Sequence, residues 1–186
     1  MLSNEDTILK EVYSPFNQKL SFDDFQNKIN SLTIDKWVFV GAVLLYQQAV
    51  KCGECNPDIG MVLLCSCADA LQLVREKKSQ ANFMKFYLSY CPSNLRTPPL
   101  EYYPDGKIPL TTTPFDKALH YIYKQFRCLY VHEGIGHLTT RGFYDRIKDK
   151  DEKDIYAVDI KVTEWFKQIT FERLFAMLTN YPRAQL

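Results

Sequence analysis

Late in the chain, Arg127 and His132 stand in the string Tyr121-Ile122-Tyr123-Lys124-Gln125-Phe126-Arg127-Cys128-Leu129-Tyr130-Val131-His132-Glu133-Gly134. A guanidinium is a permanent cation with a planar fork of donors, and an imidazole changes charge near neutral pH. Around them, Phe115, Leu119, Ile122, Phe126 and Leu129 recur every four and then three positions. At about 100° per residue these five form one narrow stripe, which must be the buried face of a helix. Arg127 then falls roughly 120° from the centre of the stripe on one side, and His132 roughly 100° away on the other. Neither belongs to the core face. The surface between them carries Lys117, His120, Tyr121, Lys124 and Val131. Cations, an aromatic ring and imidazoles on one face suit a phosphate-bearing partner.

The cysteines offer a second chemistry. Six are present, at 52, 55, 65, 67, 91 and 128. Cys52-Gly53-Glu54-Cys55 has the form of half a zinc knuckle, but no second Cys-x-x-Cys exists and Cys65-x-Cys67 has the wrong spacing. A turn between helices is the expectation there. Cys65, Cys67 and Cys128 fall among apolar neighbours in expected helices, where a free thiol behaves as a small hydrophobe. With no export signal in sight, all are read as reduced.

The elements that must position these groups are helical. Two short helices open the chain, the second announced by the capping box Ser21-Phe22-Asp23-Asp24. A longer helix is expected over about 34–50, broken by Cys52-Gly53-Glu54-Cys55. The next has a marked start: Asn56 as cap, Pro57 in the first turn and Asp58 near the positive end of the helix dipole. It is expected to run to about Lys77, and a further helix spans about 79–90. Residues 91–113 hold five of the nine prolines and the turn signal Pro104-Asp105-Gly106-Lys107, which predicts a long loop inserted into the domain. Thr113-Pro114-Phe115-Asp116 then starts the helix of the Arg/His string, which ends near His132 because Gly134 and Gly136 follow. A charged connector over 141–154 leads to a last helix at about 159–180, stopped by Pro182. Strand signals are weak throughout. The fold class is therefore all-α, an up-and-down bundle of about five to seven helices in a single domain over 1–186, with its core at about 31–180.

Composition limits the function. A 186-residue chain with 46% hydrophobic and 24% charged residues has the make-up of one globular domain. Its 23 basic against 22 acidic residues leave a net charge of +1, too little to hold long nucleic acid by charge alone. Any RNA must be met locally, through few phosphates. The polar start Met1-Leu2-Ser3-Asn4-Glu5-Asp6 is unlike a signal peptide, and the longest apolar run, Trp37 to Tyr46, is about half of what a bilayer span needs. A cytoplasmic protein without membrane contact is the expectation.

The Arg-x4-His string resembles the late helix of HEPN domains, particularly those of abortive-infection type: an apolar helix, Arg, four residues, His, then Gly. The helical order is similar too, with an acidic residue, Asp69, in the mid-chain segment Leu64-Cys65-Ser66-Cys67-Ala68-Asp69-Ala70-Leu71, then the Arg/His helix and a closing helix. The likeness covers roughly residues 56–180. It implies metal-independent RNA cleavage with no cofactor. In that scheme His132 moves the proton of a ribose 2′-hydroxyl or of the leaving oxygen, and Arg127 meets the phosphate as charge builds. Asp69, Glu133 and Tyr130 are auxiliary candidates, and Lys117, His120, Tyr121 and Lys124 candidates for RNA binding. Along the axis the pair is separated by about 7.5 Å, and the two side chains point to different sides. The resemblance therefore implies a homodimer in which facing helices share one cleft. It also implies a defence or toxin–antitoxin setting, with an antitoxin or regulatory protein as a further partner.

Two alternatives stand beside it. His132-Glu133-Gly134-Ile135-Gly136-His137 is similar to the zinc signature of dipeptidyl peptidase III-like metallopeptidases, with both His as ligands and Glu133 activating water. Its two glycines disfavour the helix needed to present such ligands. The other alternative is a HEPN-like module that binds RNA, a nucleotide or a protein without cleaving.

Overall fold

The structure, a computed structural model, describes residues 4–71, 80–103, 113–124, 126–127, 147–148, 155–157 and 160–179. Helix α1 (Asn4–Tyr13) buries Leu9 and Val12 and passes through a 3₁₀ turn at Ser14–Phe16. Helix α2 (Phe22–Asn30) begins where the capping box places it. The Ser21 hydroxyl oxygen accepts from the Asp24 N–H at 3.1 Å, satisfying a donor that a helix start leaves open.

Helix α3 (Lys36–Cys55) is capped by Asp35, whose Oδ1 accepts from the N–H groups of Trp37 and Val38 at 2.8 and 3.2 Å. It does not stop at Val50. Cys52-Gly53-Glu54-Cys55 forms its last turn, not the expected break. The reason is the crossing with helix α4 (Pro57–Leu71). A Cβ on Gly60 would lie 2.9 Å from the Gly53 Cα and 3.1 Å from the Ala49 carbonyl oxygen, so the two helices approach at backbone contact. Gly53 is there for proximity, not for a turn. The start of α4 matches its sequence signal, with Asn56 Oδ1 accepting from the Ile59 N–H at 3.3 Å.

Helix α5 (Gln80–Leu88) leads through a 3₁₀ turn at Ser93–Leu95 to strand β1 (Glu101–Tyr103). Helix α6 (Phe115–Ile122) continues beyond Ile122 in the wider π-helical winding at residues 123–124 and 126–127. Strands β2 (Ile147–Lys148) and β3 (Ile155–Ala157) precede helix α7 (Ile160–Leu178). The strands form one small antiparallel sheet in the order β1-β3-β2, with Glu101 opposite Ala157 and Ile147 opposite Tyr156. The expected loop at 91–113 thus contains a strand and a buried Leu100, and the Trp165 indole N–H fastens it to α7 by donating to the Leu95 carbonyl at 2.8 Å.

The architecture is an all-α bundle, seven α-helices among the described residues, to which this short sheet is added. Buried residues from all seven helices join one hydrophobic cluster. Helix α7 is buried on several sides: Trp165, Phe166, Ile169, Thr170, Leu174 and Leu178 are all covered. At one end Phe16 stacks between Phe25 and Phe171 at 5.6 Å from each. Elsewhere Phe83 contacts Tyr87 and Tyr123 at 5.1 and 5.0 Å, joining α5 to the end of α6. Among the described residues no helix is long and apolar enough to cross a membrane.

Candidate functional site

Helices α4 and α6 bring together two side chains singled out in the sequence. Asp69 sits in the last turn of α4, and Arg127 lies in the π-wound extension of α6, 58 residues later. The Arg127 Nε–H donates to Asp69 Oδ2 at 2.8 Å, and the two side chains keep only 14% and 11% of their surface. Such a charge-assisted bond is shorter and stronger than a neutral one. The guanidinium carbon also lies 5.9 Å from the centre of the Tyr123 ring, itself held against Phe83.

This placement corrects the expected facing of Arg127. Continuing the α-helical angle beyond Ile122 put it on the outer surface. In the π winding each bond reaches five residues back rather than four, so each residue advances less around the axis. Phe126 stays in the core at 1% exposure, while Arg127 turns toward α4 and meets Asp69. A π segment of this kind interrupts good α-helical bonding, and is often found where a side chain must be re-aimed for function.

The other candidates divide. Lys117 is exposed and Lys124 half-buried. His120 is half-buried, and its Nδ1 is hydrogen-bonded to the Gln80 side-chain amide of α5. Tyr121 is buried at 5% exposure, not part of an outer face. The buried side of α6 is broader than the five-residue stripe, since Ala118 and Tyr121 are covered together with Leu119 and Ile122. His132, Glu133 and Tyr130 lie outside the described residues, as do Cys128, Gly136 and His137.

Cys52 and Cys55 share the last turn of α3, one half-buried and the other exposed, and both are free thiols. Cys65, Cys67 and Cys91 are buried and form no disulfide. Burial pushes the Cys67 thiol far up and the Cys91 thiol to about 11, with Arg96 opposing the latter. Among the described residues no group of three or more His, Cys, Asp or Glu is placed to hold a metal ion.

Several charged groups outside the sequence-derived site are buried. Lys167 crosses Gly53 and pairs with Glu164 at 2.6 Å. Arg173 is covered beside Phe86, and Asp58 is covered at the start of α4. Removal from water raises the Asp58 carboxyl from 3.8 to about 6. Only a spatial neighbour reveals such positions, because a basic or acidic residue in a helix is exposed far more often than not. Away from the Asp69–Arg127 pair, an open groove of about 640 Å³ runs between the first turn of the chain, α3 and α7, bordered by Gln18, Lys19, Tyr46, Gln47, Lys51 and Phe171. Its Tyr46 phenol is driven to about 12 by burial, aided by Cys67, Glu164 and Glu172.

Comparison with protein-family models, with curated proteins and with solved structures found no match.

Proposed function

We propose that this chain is a HEPN-like, metal-independent endoribonuclease in which Arg127, steadied by Asp69, stabilises the scissile phosphate and His132 moves the proton. One observation carries the reading: the acidic residue of the mid-chain helix and the arginine of the Arg-x4-His string are in direct contact, 2.8 Å apart and largely out of water. The resemblance links those two helices, and the pair gives that link a physical form.

The arrangement suits phosphate chemistry. A guanidinium carries five N–H donors in a fixed plane, and the Nε bond to Asp69 engages one of them while setting the plane. An arginine held in advance costs little further ordering when charge develops on a phosphate oxygen. His132, five residues after Arg127 in the sequence, acts on the 2′-hydroxyl or the leaving oxygen, a proton transfer for which an imidazole is suited. The cleft is shared between two copies of the chain, and the substrate is RNA met through few phosphates. A defence or toxin–antitoxin setting, with an antitoxin or regulator as partner, belongs to the same reading.

A second reading is a HEPN-like module that binds RNA, a nucleotide or a protein without cleaving. The 14% exposure of the Arg127 side chain favours it, since a phosphate must reach the guanidinium. Purified protein incubated with RNA and a chelator separates the two. Cleavage that survives the chelator and is lost in both Arg127→Ala and His132→Ala supports the nuclease. Retained binding without cleavage supports the module.

A further inference from the structure

Arg173 of α7 retains 7% exposure, and its Nε is fully covered with no hydrogen-bond partner. Among the described residues no carboxylate pairs with it. Its guanidinium carbon lies 4.9 Å from the centre of the Phe86 ring of α5, and the phenols of Tyr87 and Tyr90 act on its charge. Burial lowers its pKa from the ordinary arginine value, and those two phenols oppose the change. The Tyr87 hydroxyl is itself engaged with the Thr170 hydroxyl at 3.1 Å, one turn before Arg173.

The other buried charges among the described residues have a remedy. Arg127 has Asp69, and Lys167 has Glu164. Asp58 is eased by holding its proton up to about pH 6. Arginine has no such escape, because it does not lose its proton in proteins. A ring face offsets part of the cost of taking a cation out of water, but only part. Of the three guanidinium nitrogens Nε alone is fully covered and unbonded, so the remaining exposure leaves the terminal nitrogens in touch with solvent. That is the edge whose fork matches two oxygens of a tetrahedral anion.

We propose that Arg173, backed by the Phe86 ring and flanked by Tyr87 and Tyr90, is the receptor of an oxyanion site between α5 and α7 that takes a phosphate group. The 7% exposure that Arg173 keeps suits a compact anion, either free phosphate or the terminal phosphate of a nucleotide. The site assumes nothing about Arg127 or RNA cleavage.

The test is thermal denaturation at fixed ionic strength, exchanging chloride for inorganic phosphate in one arm and for adenosine monophosphate in another. The wild-type midpoint rises saturably with phosphate, and the size of the rise in the two arms identifies the source of the anion. Arg173→Met, which removes the charge and keeps the bulk, is as stable as wild type or more so in chloride and has lost the response. Arg173→Lys, folded in either event, keeps a charge but not the fork, and its midpoint in phosphate rises at least tenfold less steeply with concentration. A wild-type midpoint indifferent to both anions overturns the site. So does an undiminished response in Arg173→Met or Arg173→Lys, or a Met variant that melts well below wild type in chloride, since that marks the arginine as structural.

Discussion

Cutting one side of the Asp69–Arg127 pair should be far more damaging than removing both. The two side chains are nearly covered, at 11% and 14% exposure, so Asp69→Ala takes the carboxylate from the guanidinium with little water to replace it. Breaking a buried pair costs about 3–5 kcal/mol, and the residual exposure brings the expectation here to about 2–4 kcal/mol. For a domain of this size each kcal/mol moves the midpoint by about 2–4 °C, so a loss near 3 kcal/mol lowers it by roughly 6–12 °C. Arg127→Met, which takes the cation from Asp69, falls in the same range. In Asp69→Leu/Arg127→Met both charges of the pair are gone, and the double variant should lie within about 1 kcal/mol of wild type. Urea denaturation of the four proteins measures the cycle, with a coupling of roughly 2 kcal/mol or more expected. Additive single effects, or a double variant worse than either single, would refute the inference that these groups stabilise each other across α4 and α6.

Three further outcomes follow from the same geometry. Gly60→Ala drives a methyl to 2.9 Å from the Gly53 Cα and should cost about 1–3 kcal/mol, whereas Gly41→Ala meets nothing within 4 Å and should gain about 0.5–1 kcal/mol in α3; urea midpoints compare them directly. The Asp58 carboxyl has its folded pKa raised from 3.8 to about 6, so the folded state holds a proton that the unfolded chain has released between those values. Stability therefore falls as pH rises through that window, and Asp58→Asn should gain about 1–2 kcal/mol at pH 7 after allowance for the opposing helix terminus, with the gain vanishing below about pH 4. A neutral-pH loss in that variant would reverse the argument. Alkylation of the native protein at pH 8 should label exposed Cys55 well before buried Cys65 and Cys67, which mass spectrometry of the peptides reports.

Local signals in the sequence were read well wherever a short-range bond decides the outcome. Ser21 and Asn56 cap α2 and α4 because each side chain needs only its own first turn. The stripe of Leu119, Ile122 and Phe126 is buried as its spacing implies. Errors arose where a distant neighbour decides. Gly53 looks like a helix stop until Gly60 is seen against it, and Tyr121 looks exposed until the full width of the buried face of α6 is known. The facing of Arg127 depends on a change of winding after Ile122 that no periodicity announces. The pairing of residues 101–103 with 155–157 joins distant segments only three residues long, too short to show an alternating pattern. Asp69 is a candidate through the resemblance, but its bond to Arg127 belongs to the tertiary structure.

Under the proposed function, an arginine held by Asp69 serves a phosphodiester under attack by the neighbouring 2′-hydroxyl. End analysis of RNA incubated with the protein in excess chelator tests it most directly. Wild type should yield fragments ending in a 2′,3′-cyclic phosphate and Arg127→Ala none; intact RNA from wild type, or the same cyclic ends from Arg127→Ala, would overturn that role.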